Sequence, residues 1–236
     1  MGTGPPLALQ HGSFGSGEEW KEFGYTDVLK RDHQLILIDA RGHGASDKPH
    51  KPVAYDLPSH VEDVTAVLDD LRIPQADYFG YSMGGWIGFG LAKYAPQRFR
   101  SLILGGAHPY PESRQAFREH FPKDLVEFLA LVEPVVGPFM TPAFRTRLLA
   151  NDLKALSAIT QDRPPLADVL PTMHMPCLLF AGEADPVLPR VQECLKSLAN
   201  ATFFSLPECT HMAAWARSEL VLPHVSSFLR GVRRIT

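Results

Sequence analysis

The stretch Ala76-Asp77-Tyr78-Phe79-Gly80-Tyr81-Ser82-Met83-Gly84-Gly85-Trp86 orders the reading of the whole chain. Residues 76–81 form a short apolar run, too short for a helix and suited to a buried strand. The run from Met83 to Tyr94 has helical character, so Ser82 stands on the turn between strand and helix. Gly80-Tyr81-Ser82-Met83-Gly84 is a G-x-S-x-G, and this context turns a weak pattern into a specific one. A serine on so tight a turn is held in a strained backbone conformation, and glycines two residues either side keep side chains out of the crowded bend. Its hydroxyl then projects above the sheet at the positive end of the following helix. Ser82 is therefore the candidate nucleophile.

Outward from that turn, further short apolar runs cover 7–10, 35–40, 101–104, 177–181 and 201–206, bounded by Gly, Pro and Asp. Longer amphipathic runs lie between them. Val61, Val64, Val67, Leu68 and Leu71 recur at helical spacing within 59–71, with Ser59 and Glu62 forming a capping box. This alternation predicts a mostly parallel sheet of about six strands with helices on both faces, an α/β fold. Residues 110–172 break it. They carry helical periodicity at 115–121, 123–136, 142–151 and 152–159, separated by prolines, and no convincing strand. The domain plan is a core of 1–109 and 173–236 with 110–172 as a helical insertion.

A serine hydroxyl needs a base, and the base needs an orienting acid. Among ten histidines, His211 follows the last apolar run in Glu208-Cys209-Thr210-His211-Met212, where a loop can carry it to Ser82. His33, His50, His60, His120 and His224 lie in polar or helix-surface contexts. His43 reads as a loop brace, and His108 and His174 flank the insertion. The run 177–181 ends in Gly182-Glu183-Ala184-Asp185-Pro186; Asp185, fixed by Pro186, is the preferred acid, with Glu183 as the alternative. An oxyanion needs two donors. The Met83 N–H is the first, and the second comes from His11-Gly12-Ser13-Phe14-Gly15, from Ser13 or else from Phe14.

Together these pieces resemble the α/β-hydrolase superfamily of esterases, lipases, carbon–carbon bond hydrolases, dehalogenases and epoxide hydrolases. The matching residues are His11-Gly12, Asp39-Ala40-Arg41-Gly42-His43-Gly44-Ala45-Ser46-Asp47, the turn at Ser82, Gly182-Glu183-Ala184-Asp185 and His211. The order Ser82, Asp185, His211 is the nucleophile–acid–base order of that fold. The resemblance implies that 110–172 caps the active site. Dehalogenases and epoxide hydrolases of this fold place aspartate where Ser82 stands, which disfavours both. The chain departs from the superfamily in having ten residues before His11, where two further strands usually lie; either the sheet is shortened by its N-terminal hairpin strands or part of a longer protein is missing.

The function expected is that of a serine carboxylesterase acting through an acyl-enzyme on a small, mostly apolar ester, with no metal and no organic cofactor. Met83, Trp86, Phe139 and Trp215 are candidates for an apolar pocket. A carbon–carbon bond hydrolase for vinylogous diketones or a perhydrolase would use the same three residues, and hydroxynitrile lyases also keep the serine. A ligand-binding regulatory protein is the alternative from another class.

Composition narrows the field further. At 236 residues the chain suits one large domain. With 23 Lys+Arg against 26 Asp+Glu the net charge is -3, which argues against a nucleic-acid or polybasic membrane binder. Within 110–172, seven basic residues face eight acidic ones, no sign of a polyanionic substrate. The three cysteines, Cys177, Cys194 and Cys209, lack C-x-x-C spacing, so neither a disulfide framework nor a zinc site is expected, and a reduced, cytoplasmic setting is. No signal peptide, no myristoylation motif (Pro6 stands where Ser or Thr is needed) and no membrane-spanning run is expected. Leu35-Ile36-Leu37-Ile38 should lie at a sheet edge. That edge needs cover from a second subunit, making a homodimer, or from the chain itself.

Overall fold

A computed structural model describes residues 1–234 of the chain. Six strands form one parallel sheet: β1 (Pro6–Gln10), β2 (Gln34–Ile38), β3 (Ala76–Tyr81), β4 (Phe99–Gly105), β5 (Cys177–Gly182) and β6 (Ala201–Leu206), in the order β2-β1-β3-β4-β5-β6. Strands β3 and β5 are buried throughout, as strands covered on both faces must be.

The period-two alternation of strand side chains divides the core. Ala8, Tyr78, Leu102, Leu104 and Leu179 pack with α3 (Leu57–Asp70), α4 (Met83–Tyr94) and α9 (Leu188–Leu195) on one face. Leu7, Leu9, Phe79, Ile103, Leu178 and Phe180 point to the other, against α1 (Glu18–Glu22), α2 (Tyr25–Leu29), α10 (His211–Ala216) and α11 (Ser218–Val232).

Between β4 and β5 lie α5 (Gln115–Glu119), α6 (Leu125–Val136), α7 (Pro142–Leu149) and α8 (Leu153–Ala158). Phe128, Leu129, Val132, Val136, Phe144, Leu148 and Leu156 make an apolar cluster of their own there. Glu112 and Arg163 pair as a single antiparallel bridge across the two ends of this segment.

Three local expectations are corrected. Helix α3 begins at Leu57, not Ser59. Asp56 is its cap, its side chain accepting the Ser59 N–H at 2.9 Å, and Pro58 sits in the first turn, where its missing N–H costs nothing. His60 and His33 are buried rather than on the surface: His60 lies on the face of α3 turned toward Tyr55 and Trp86, and His33 sits in the bend before β2, where the Arg233 side chain meets its ring. His211 opens a helix rather than lying in a loop, with Thr210 as its cap.

Strand β2 is at the sheet edge, and its outer side is partly covered by the chain itself. Leu35 N–H donates to the Met1 carbonyl at 2.7 Å, and the Met1 amino group donates to the Leu35 carbonyl at 3.0 Å.

Candidate active site

The chain passes from β1 out to β2 and returns on the other side of β1 as β3. The loops leaving the carboxyl ends of β1 and β3 therefore separate and leave a crevice at this switch point. The loop after β1 carries His11 to Gly17, and the turn after β3 carries Ser82. Both line a cavity of about 580 Å³, together with His211, Trp215 and apolar side chains of α5, α6 and α7.

Ser82 has φ 54 and ψ −109, a region that L side chains rarely occupy. The turn is possible because its neighbours lack side chains. A Cβ on Gly80 would lie 2.3 Å from the Gly84 carbonyl oxygen, and one on Gly84 would lie 2.2 Å from that of Gln10. Ser82 N–H donates to the Gly105 carbonyl at 2.8 Å, tying the turn to β4.

His211 Nδ1 donates to Asp185 Oδ2 at 2.6 Å; a carboxylate can only accept, which assigns the tautomer. The other Asp185 oxygen accepts the Val187 N–H at 3.0 Å, so the buried carboxylate is held on both sides. Glu183 is turned to solvent, accepting from Ser205 Oγ at 2.8 Å. Tyr81 supports the histidine from below. Its hydroxyl donates to the His211 carbonyl at 2.5 Å, and its ring stacks on Trp215 with centroids 4.8 Å apart. With Nδ1 committed to Asp185, Nε2 is the imidazole nitrogen left for proton transfer. Ser82 Oγ makes no hydrogen bond among the described residues, and such contacts commonly tighten only with substrate.

Among the loop amides, Met83 N–H belongs to the first turn of α4, where no intrahelical partner exists. Ser13 N–H has no partner among the described residues, whereas Phe14 N–H is taken: it donates to His43 Nε2 at 3.0 Å. This corrects Phe14 as a donor to substrate. His43 Nδ1 in turn donates to the Arg41 carbonyl at 3.1 Å. Burial pushes the His43 pKa down to about 3, with neighbouring His11 adding to the effect, so the imidazole stays neutral and keeps its acceptor.

Trp215 lines the cavity as expected of a pocket residue, but the three other candidates, Met83 among them, do not. Trp86 faces a second hollow on the other side of Met83, and Phe139 packs at the edge of the α6–α8 cluster outside the cavity lining. Sequence reasoning missed Glu19. Its buried carboxyl lines the cavity and accepts from Trp215 Nε1 at 3.2 Å. Burial raises its pKa to about 7. Gly15 makes room for it, since a Cβ there would lie 2.3 Å from Glu19 Oε1. No group of three or more His, Cys, Asp or Glu among the described residues has the arrangement of a metal site.

The sequence of residues 5–149 matches the model of the alpha/beta hydrolase fold family. The chain belongs to the α/β-hydrolase fold family. It is 30% identical to 3-oxoadipate enol-lactonase 2 of Acinetobacter baylyi over 213 residues, 82% of this chain and 72% of the relative. It is 26% identical over 249 residues to a Bacillus subtilis protein provisionally named 2-succinyl-6-hydroxy-2,4-cyclohexadiene-1-carboxylate synthase, covering 94% of this chain and 89% of that one. A hydrolase structure from Pseudomonas aeruginosa superposes with a TM-score of 0.86 at 28% identity, over 97% of this chain and 92% of that one. This α/β-hydrolase is thus a hydrolase by family, and among its described residues no helix is long and apolar enough to cross a membrane.

Proposed function

We propose that the protein is a serine hydrolase that cleaves a carboxylic ester of a small substrate, apolar where it meets the Ser82 cavity. Ser82 is the nucleophile, His211 the base and Asp185 the acid that orients it. The observation that carries the reading is the 2.6 Å bond from His211 Nδ1 to Asp185, in a cavity that Ser82 shares. His211 Nε2 takes the hydroxyl proton as Ser82 Oγ attacks the ester carbonyl. Met83 N–H and Ser13 N–H receive the oxyanion, and His211 returns the proton to the departing alcohol. Water then enters, gives a proton to the same nitrogen and attacks the acyl-enzyme, releasing the acid and free Ser82. An enol-lactonase among the relatives supports ester chemistry on this scaffold.

Residues 110–172 act as a cap over a core of 1–109 and 173–236. The separate apolar cluster of α6–α8 and the Glu112–Arg163 bridge at the neck support that division. The test is covalent labelling with a fluorophosphonate, followed by a screen of p-nitrophenyl esters of increasing acyl length. Labelling at Ser82 with turnover of short and medium esters is expected. An unlabelled Ser82 in folded protein would sink the reading and leave a ligand-binding role.

A further inference from the structure

Beside the Ser82 cavity lies a second hollow of about 440 Å³, bounded by α3, α4 and the two ends of the segment joining β4 to β5. Arg114 lines both hollows, and Met83, next to the nucleophile, lines the second. The polar wall consists of Trp86 from α4, His60 from α3, Arg114 and Arg163.

Three nitrogens of this wall, Trp86 Nε1, His60 Nε2 and Arg114 Nε, are buried without a hydrogen-bond partner among the described residues. Trp86 is 7% exposed and His60 2%, so ordinary surface hydration does not account for them. Two guanidinium groups stand beside these nitrogens. Arg163 and Arg114 share one carboxylate, Glu112, at 3.3 and 3.6 Å. Arg163 also lies over the Trp86 ring, 5.1 Å from its centroid.

The other acids of the wall are engaged elsewhere. Asp162 accepts from Arg118 and from the Arg114 backbone N–H, both at 2.7 Å, and Asp56 caps α3. Burial, and after it the nearby Arg114, push the Arg163 pKa down to about 9, although Glu112 acts against the shift. Burial lowers His60 to about 4, so it is a neutral ring able to donate. A buried guanidinium, Arg163, next to a half-buried one whose Nε lacks a partner is stabilised by a planar anion that accepts from both and from the neighbouring ring N–H groups.

We propose that this hollow is the subsite for a carboxylate carried by the substrate, so that the preferred esters bear an anionic group on one side of the scissile bond and an apolar group on the other. The proposal rests on the ester-hydrolase reading above and names its substrate class. Arg114 and Arg163 are specificity-determining residues in it, with Trp86 Nε1 as a further donor.

The test compares charged esters with their neutral methyl-ester counterparts. One series carries the carboxylate on the acyl side, as mono-p-nitrophenyl succinate, glutarate and adipate. The other carries it on the alcohol side, as butyryl esters of ω-hydroxy acids. One charged series should exceed its neutral counterpart in kcat/KM by about ten- to a hundredfold, the factor of a hydrogen bond to a charged group.

The ratio should fall toward unity in Arg163→Met, in Arg114→Met and, by less, in Trp86→Phe. Taking the ratio within each variant removes any general loss of activity. Fluorophosphonate labelling of each variant shows whether its site is assembled, and Trp86→Phe, which keeps a ring over Arg163, serves if Arg163→Met does not fold. Labelling of Ser82 without preference in either series, or a preference unchanged by Arg114→Met and Trp86→Phe, overturns the anion subsite while leaving the serine hydrolase standing. Absence of labelling overturns the underlying reading instead.

Discussion

The backbone N–H of Phe14 points at His43 Nε2, 3.0 Å away, and Phe14 has φ 70, in the left-handed region that side chains avoid. Its carbonyl accepts from Asn151 Nδ2 at 3.1 Å, so both backbone groups of this residue are held by distant parts of the chain. The loop after β1 is thereby pinned in a strained form that leaves Ser13 N–H unpaired beside Ser82. Removing the imidazole with His43→Ala leaves Phe14 N–H without its acceptor and lets the loop relax. We expect kcat to fall by about a hundredfold, the cost of losing or misplacing one oxyanion donor, with little change in KM. Because burial keeps His43 neutral well below working pH, the loss should be uniform from pH 5 to pH 8. Steady-state ester kinetics across that range check both parts.

Ser82→Ala should abolish turnover, by about a million-fold in kcat on the pattern of other serine triads. The folded state should survive, since one hydroxyl is lost and the Cβ stays. Ser82→Gly should be equally inactive and more stable by about 1 kcal/mol, because glycine tolerates φ 54. Urea denaturation of the two variants side by side measures the difference. A Ser82→Gly variant no more stable than Ser82→Ala would mean the turn stores no strain.

Asp185→Asn should cost about 10⁴-fold in kcat, since asparagine can hold the imidazole in the wrong tautomer and does not stabilise its protonated form. Glu183→Gln should remain close to wild type, because Glu183 bonds Ser205 at the surface and not His211. If Glu183→Gln is the more damaging, the acid has been assigned to the wrong residue.

Glu19 links the cavity to stability. Its pKa is about 7 in the folded protein against 4.5 for a free glutamate, with burial as the main cause. The folded state thus holds a proton that the unfolded state releases between those values. Stability is undiminished below pH 4.5 and is lost as pH rises toward 7. Glu19→Gln, which keeps an acceptor for Trp215 Nε1, removes that dependence. At pH 8 the variant should be the more stable by on the order of 3 kcal/mol, and at pH 4 the two should agree. Thermal unfolding at both pH values reads the sign directly.

Strand β2 offers a test of the sheet edge. Met1 satisfies both backbone groups of Leu35, so amide exchange at Leu35 should be slower than at Leu37, the next position facing outward. A homodimer through this edge would protect Leu37 as well and make its exchange depend on protein concentration. Sedimentation across the same concentrations separates the two cases.

The sequence by itself determined the parallel sheet, its six strands and the three residues Ser82, Asp185 and His211 as candidates. Each of these rests on local chemistry: a buried strand, the turn after it, and the glycine or proline that shapes the turn. Only the tertiary structure decided which groups meet. It brought Asp185 rather than Glu183 to His211, turned Trp86 and Phe139 away from the Ser82 cavity, and spent the Phe14 amide on His43. It buried Glu19 beside Trp215 and set Arg114 and Arg163 around one glutamate, although balanced charge over 110–172 hid any such cluster. The reason is physical. Strand and turn preferences act over a few residues and leave a trace in their order, whereas burial, desolvation and charge pairing arise between segments far apart in the chain and exist only once their surfaces have met.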